Sequence, residues 1–126
     1  MWVFTKYGFV SIACASKSNG EIDESTVMVR ARLRQHLDNL KARFPDTELG
    51  KAKILDSVGT DYKYRLVIPK EAWVSILSEL AMEQTWSNFK NEAARFARIK
   101  KLSDGFVIAL HKVWEVMYDL QSDERG

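Results

Sequence analysis

Cysteine occurs once in the 126 residues, as Cys14, and histidine and proline twice each. A single cysteine excludes an internal disulfide and fits a reducing compartment. The histidines, His36 and His111, fall in separate segments without metal-ligand spacing, so no metal site is expected. Six scattered glycines cannot build a phosphate-cradling loop, and no close pair of carboxylates stands out for acid–base work. Charge of one sign is also scarce: 19 basic against 17 acidic side chains leave +2. Any case for a nucleic-acid partner therefore rests on local clustering. No stretch approaches the ~20 apolar residues that span a bilayer, so no membrane partner is expected. Ala13-Cys14-Ala15 has the small residues of a signal-peptidase site, but the segment before it lacks a basic start and is interrupted by Lys6 and Gly8. The expectation is a soluble cytoplasmic protein without a cofactor.

What the sequence has is a 46% hydrophobic share and clear periodicities. Residues 2–15 are rich in Trp, Val, Phe, Tyr and Ile and read as a strand. Asn19-Gly20 marks a hairpin turn before Thr26–Arg32, where Val27, Val29 and Ala31 alternate with Met28, Arg30 and Arg32. From Leu33 the period becomes helical, with Leu33, Leu37, Leu40 and Phe44 on one face until Pro45. Lys53–Val58 and Tyr62–Ile68 read as strands around a turn at Gly59-Thr60-Asp61. In the second, Tyr62, Tyr64, Leu66 and Ile68 share a face opposite Lys63, Arg65 and Val67. Pro69 suits a helix start, and Trp73, Ile76, Leu77 and Leu80 form that helix's core stripe.

Thr85–Phe89 reads as a short edge strand or as the loop and cap of another helix, and residues 86–102 stay open between strand and helix. A last helix runs from about Asp104 to Gln121 with Phe106, Leu110, Val113, Trp114, Met117 and Leu120 inside, and SDERG reads as a frayed tail. These elements predict one α+β domain over residues 1–121 with a flexible 122–126 tail. Its core is a ferredoxin-like, mostly antiparallel sheet with an added N-terminal strand and a C-terminal helix.

The stretch Tyr7-Gly8-Phe9-Val10 looks like an RNA-contacting strand, but it lies on the first strand and lacks the basic residue and glycine that should precede it. Aromatic faces on an open sheet beside cations would still serve RNA. Both alternating sets, Trp2, Phe4, Lys6, Gly8, Val10 and Val3, Thr5, Tyr7, Phe9, Ser11, are largely apolar, which favours a strand buried on both sides.

MWVFTKYGFVS at the start, VRAR entering a helix, TDYKYR before a proline-started helix, SNFK, and VWEVMY in the last helix follow in order. Nearly the whole chain thereby resembles a family of small uncharacterised bacterial proteins. The resemblance implies a single compact domain and supplies no activity. Ala93–Leu102, AARFARIKKL, departs from the shorter, less basic connection that the resemblance implies.

Two cationic groups stand out. Arg30 and Arg32 share one side of a strand and Lys63 and Arg65 one side of another, which with Lys90 could make an anion-binding face, and Tyr62, Tyr64 or Phe89 could stack nearby. Solvated charges paired with Asp56, Asp61 or Glu71 account for the same pattern. Lys90, Arg95, Arg98, Lys100 and Lys101 face only Glu92 and would give a helix a basic outer side. Trp2 and Trp86 lie on no core stripe and are candidate interface anchors. Cys14 and His111 carry no motif that marks them as nucleophile and base. The expectation is a non-enzymatic binding module for nucleic-acid phosphates. The alternative is a protein-interaction or inhibitor module, a homodimer or a mobile-element protein docking on a larger bacterial machine.

Overall fold

The computed structural model describes residues 1–57 and 59–125. They form two compact units, residues 1–85 and residues 86–126, the last residue of which is not among those described.

The first unit opens with a hairpin where one strand was expected. Strand β1 (Trp2–Thr5) folds back at Lys6-Tyr7 into β2 (Gly8–Ser16), with Thr5 opposite Gly8. Side chains fix this corner. Thr5 Oγ1 accepts from the Tyr7 N–H at 3.1 Å and donates to the Gly8 carbonyl at 3.0 Å. The Asn39 amide donates to the Tyr7 carbonyl at 3.0 Å. Gly8 has φ +145°, a conformation that side chains disfavour.

The Asn19-Gly20 turn leads to β3 (Ile22–Ala31), with Gly20 in the left-handed region. Helix α1 (Arg34–Arg43) follows, buried through His36, Leu37 and Leu40. Leu33 caps it and is exposed, so the stripe begins one turn later than its spacing predicts. A short helix unmarked by periodicity, α2 (Glu48–Lys51), starts at Thr47, whose hydroxyl accepts from the Gly50 N–H. Next come β4 (Leu55–Asp56), β5 (Tyr64–Pro69) and α3 (Lys70–Met82). The Val58 end of the expected Lys53–Val58 strand lies outside the described residues.

The five strands form an antiparallel sheet in the order β1-β2-β3-β5-β4. This is the α+β class expected from the sequence. Strands β3 and β4, joined through α1 with β5 inserted between them, are the split β-α-β of a ferredoxin-like core. The other side of β3 is taken by β2, because Thr85–Asn88 is loop and cap. Val10, Ile12, Val27, Val29, Ala31, Leu66 and Ile68 make the buried sheet face, against Leu37, Leu40, Leu49, Trp73, Ile76 and Leu80 from the helices. Amphipathic strands and helices hide their apolar sides against each other, which stabilises by about 1.5–3 kcal/mol per large side chain.

The second unit is a helical pair. Helix α4 (Phe89–Ile99) is capped by Asn88, whose side chain accepts from the Asn91 N–H at 3.0 Å. Helix α5 (Gly105–Asp119) runs into a 3-10 segment, Leu120–Arg125. Of the six residues expected inside α5, Leu110 is buried and Phe106 is half-buried. Val113, Trp114, Met117 and Leu120 are exposed. Stripe periodicity says that a face is apolar, and a second packing layer must exist for that face to be covered.

Candidate nucleic-acid interface

The sheet face opposite the helices of the first unit is polar and aromatic. Register places Trp2 opposite Ser11, Ser11 opposite Arg30, Arg30 opposite Arg65 and Arg65 opposite Leu55, one row across all five strands. Phe4 pairs with Phe9 beside it. The Phe4 and Phe9 rings stack at 4.6 Å, and Trp2, 69% exposed, meets Phe9 edge-on at 5.6 Å. Both geometries are favoured by aromatic quadrupoles.

Tyr62 joins this face because β5 begins only at Tyr64. Residues before the strand escape its alternation, so Tyr62 does not share the side of Leu66 and Ile68, as its spacing predicts. Its ring is buried against Phe9 at 6.4 Å, the Arg30 guanidinium at 4.9 Å and the Arg32 guanidinium at 4.4 Å. Arg30 donates to Ser11 Oγ at 2.8 Å, and Arg65 donates through Nη2 to the Tyr62 carbonyl at 3.1 Å. The Arg65 Nε is buried with no hydrogen-bond partner among the described residues. Arg32 pairs with Asp61 at 3.1 Å, which raises its pKa further above the ordinary guanidinium value. Asp61 is the one carboxylate that ion-pairs with these three arginines among the described residues.

Three guanidiniums are thus held in fixed orientations with donors to spare. Each offers five N–H groups in a planar fork suited to phosphate. Lys63 is exposed, and its ammonium lies 5.4 Å from the centre of the half-buried Tyr64 ring. The stretch Tyr7-Gly8-Phe9-Val10 divides: Tyr7 and Val10 are buried and Phe9 lies on the aromatic face. Burial and the Glu83 carboxylate, which accepts from Tyr7 Oη at 3.0 Å, push the Tyr7 phenol up to about 12. Arg43 donates to the same Glu83 oxygen at 3.0 Å.

The remaining candidates belong to the helical pair. Arg95 is tied to Glu92 at 2.6 Å, while Arg98, Lys100 and Lys101 are exposed. Lys90 sits 4.5 Å from the Trp114 ring centre and 3.5 Å from His111 Nδ1. Trp86 and Phe89 are half-buried. His111 is exposed, pairs with Glu115 at 3.1 Å and stacks on Trp114 at 5.7 Å.

Phe4 and Phe9 join Trp2 on this face, although strand alternation did not single them out. A two-residue turn puts Trp2 and Phe4 with Phe9 and Ser11, mixing the two alternating sets, and Thr5 three residues before Gly8 was its signal. Among the described residues no group of three or more His, Cys, Asp or Glu side chains could hold a metal ion, and no helix is long and apolar enough to cross a membrane. No protein-family model, curated protein or solved structure matches the chain.

Proposed function

We propose that this chain is a non-enzymatic module that binds single-stranded nucleic acid on the open sheet face. Arg30, Arg32 and Arg65 contact phosphates, and Trp2, Phe4 and Phe9 stack on bases. The observation that carries this reading is the row of half-exposed aromatics beside three oriented guanidiniums answered by one carboxylate. Base stacking and backbone cations are the two contributions that single-strand binders combine. The exposed Arg98, Lys100 and Lys101 add a second, sequence-independent contact. The reading assumes action in the bacterial cytoplasm.

Fluorescence anisotropy of labelled single-stranded RNA, single-stranded DNA and duplex DNA at two salt concentrations tests it. Three phosphate contacts predict a log–log salt slope of about −2 for single strands, a loss of roughly twentyfold between 50 and 200 mM salt. Arg30→Glu with Arg65→Glu should abolish binding, and Arg95→Glu with Arg98→Glu should weaken it. Binding that is unchanged at high salt, or absent for every probe, rules the reading out.

The exposed apolar side of α5 favours a second reading, a protein-interaction or inhibitor module, including a mobile-element protein that docks on a bacterial machine. That reading predicts a stable protein complex and no affinity for oligonucleotides.

A further inference from the structure

Helix α5 is apolar around more than half of its circumference, a pattern that helices show when they are covered. One part of that arc is used. Leu110 is buried, and the Trp114 ring carries Lys90 of α4 at 4.5 Å and stacks on Tyr118 at 5.3 Å. The adjoining stripe, Ala109, Val113 and Val116 continued by Leu120 at the helix C-cap, is exposed, with Val116 at 65% and Leu120 at 51%. Its 4-3-4 spacing is that of the a and d positions of a coiled-coil seam. In that frame Lys112 and Asp119 occupy the flanking g positions. Both are exposed, and among the described residues neither makes an ion pair.

We propose that this stripe is a homodimer interface in which α5 pairs antiparallel with α5 of a second copy. It names the partner for the protein-interaction reading and does not depend on the nucleic-acid one. Antiparallel pairing sets a against d, so Val113 meets the second copy's Val116, and the small Ala109 meets its large Leu120. The same register brings the two g positions together, Lys112 beside the second copy's Asp119, twice by symmetry. A parallel pair would set Lys112 and Asp119 beside e positions, where Met117 offers no charge. The charge pattern of the helix is therefore complementary to itself in the antiparallel orientation alone. The exposed side chains of Val113, Val116, Met117 and Leu120 offer a small apolar patch, which suits a weak, reversible pairing.

Sedimentation equilibrium from about 1 to about 200 μM is the test, a span that brackets micromolar dissociation. The expected result is a shift from 14.5 kDa to twice that mass. Val116→Glu, at a site exposed in the monomer, should raise the dissociation constant at least about tenfold with helicity unchanged by circular dichroism. Lys112→Asp and Asp119→Lys should each weaken the dimer, and the double exchange should restore it. Rescue separates this pairing from unspecific apolar sticking. A monomer at every concentration, a dimer indifferent to Val116→Glu, or weak single exchanges without rescue would each overturn the proposal. So would a monomer that binds phosphatidylcholine vesicles through α5. None of these results alters the oligonucleotide titration, so the two readings fail separately.

Discussion

Replacing Gly8 by alanine should cost this protein much of its stability, for two reasons that can be separated. At φ +145° an alanine side chain is strained in its own backbone, which costs about 1–2 kcal/mol. The added Cβ would also lie 2.2 Å from His36 Cγ and 2.5 Å from His36 Cβ and Cδ2, far inside van der Waals contact. His36 cannot easily retreat, because it is buried on α1 and its Nδ1 accepts from the Phe9 N–H at 3.2 Å. Overpacking of a fixed neighbour costs about 1–3 kcal/mol, so the sum is about 2–5 kcal/mol. Urea denaturation of wild type and Gly8→Ala measures it as a shift in midpoint at constant slope. His36→Ala removes the two ring atoms but leaves the Cβ contact, so the double variant should recover only part of the loss. A destabilisation under about 1 kcal/mol would refute the reasoning, since the backbone cost alone exceeds it.

Three other predictions follow from the same unit and its neighbour. Burial lowers the His36 pKa below its ordinary 6.5, so the folded state resists protonation; stability is full above 6.5 and declines as pH falls through the window between the unfolded and the lowered folded value. Urea midpoints at pH 8, 6 and 5 should show that decline, and His36→Gln should flatten it. Tyr7 titrates oppositely: its phenol is raised from 10.0 to about 12, so its contribution holds below pH 10 and is lost as pH rises through 12. Tyr7→Phe should remove that alkaline step and cost about 1 kcal/mol at pH 7 for the lost Glu83 hydrogen bond, read by thermal unfolding at both pH values. Asn88→Ala should weaken α4 by about 1 kcal/mol through loss of its cap, and amide exchange at Asn91 should accelerate; unchanged protection there would show that the cap contributes nothing.

Local chemistry sufficed for most elements. Alternation at Val27, Val29 and Ala31, the Asn19-Gly20 turn, the Leu37, Leu40 and Phe44 stripe and the Pro69 start all depend on neighbours a few residues apart, and the structure has each. The α+β class followed from their order. Arg30 and Arg65 also lay on alternating strands, which made their shared face legible. Tertiary structure decided the rest. The bend at Lys6-Tyr7 is held by Thr5 within the turn and also by Asn39 from α1 and Glu83 from beyond α3, residues distant in the chain, so the apolar run reads as one strand. Tyr62 reached the arginines because β5 starts late, which is settled by pairing and not by composition. The exposed side of α5 is the clearest case: its sequence shows an apolar stripe, and only the packing reveals that Val116 and Leu120 are exposed. Periodicity records which side chains avoid water, while coverage depends on surfaces that meet across the fold.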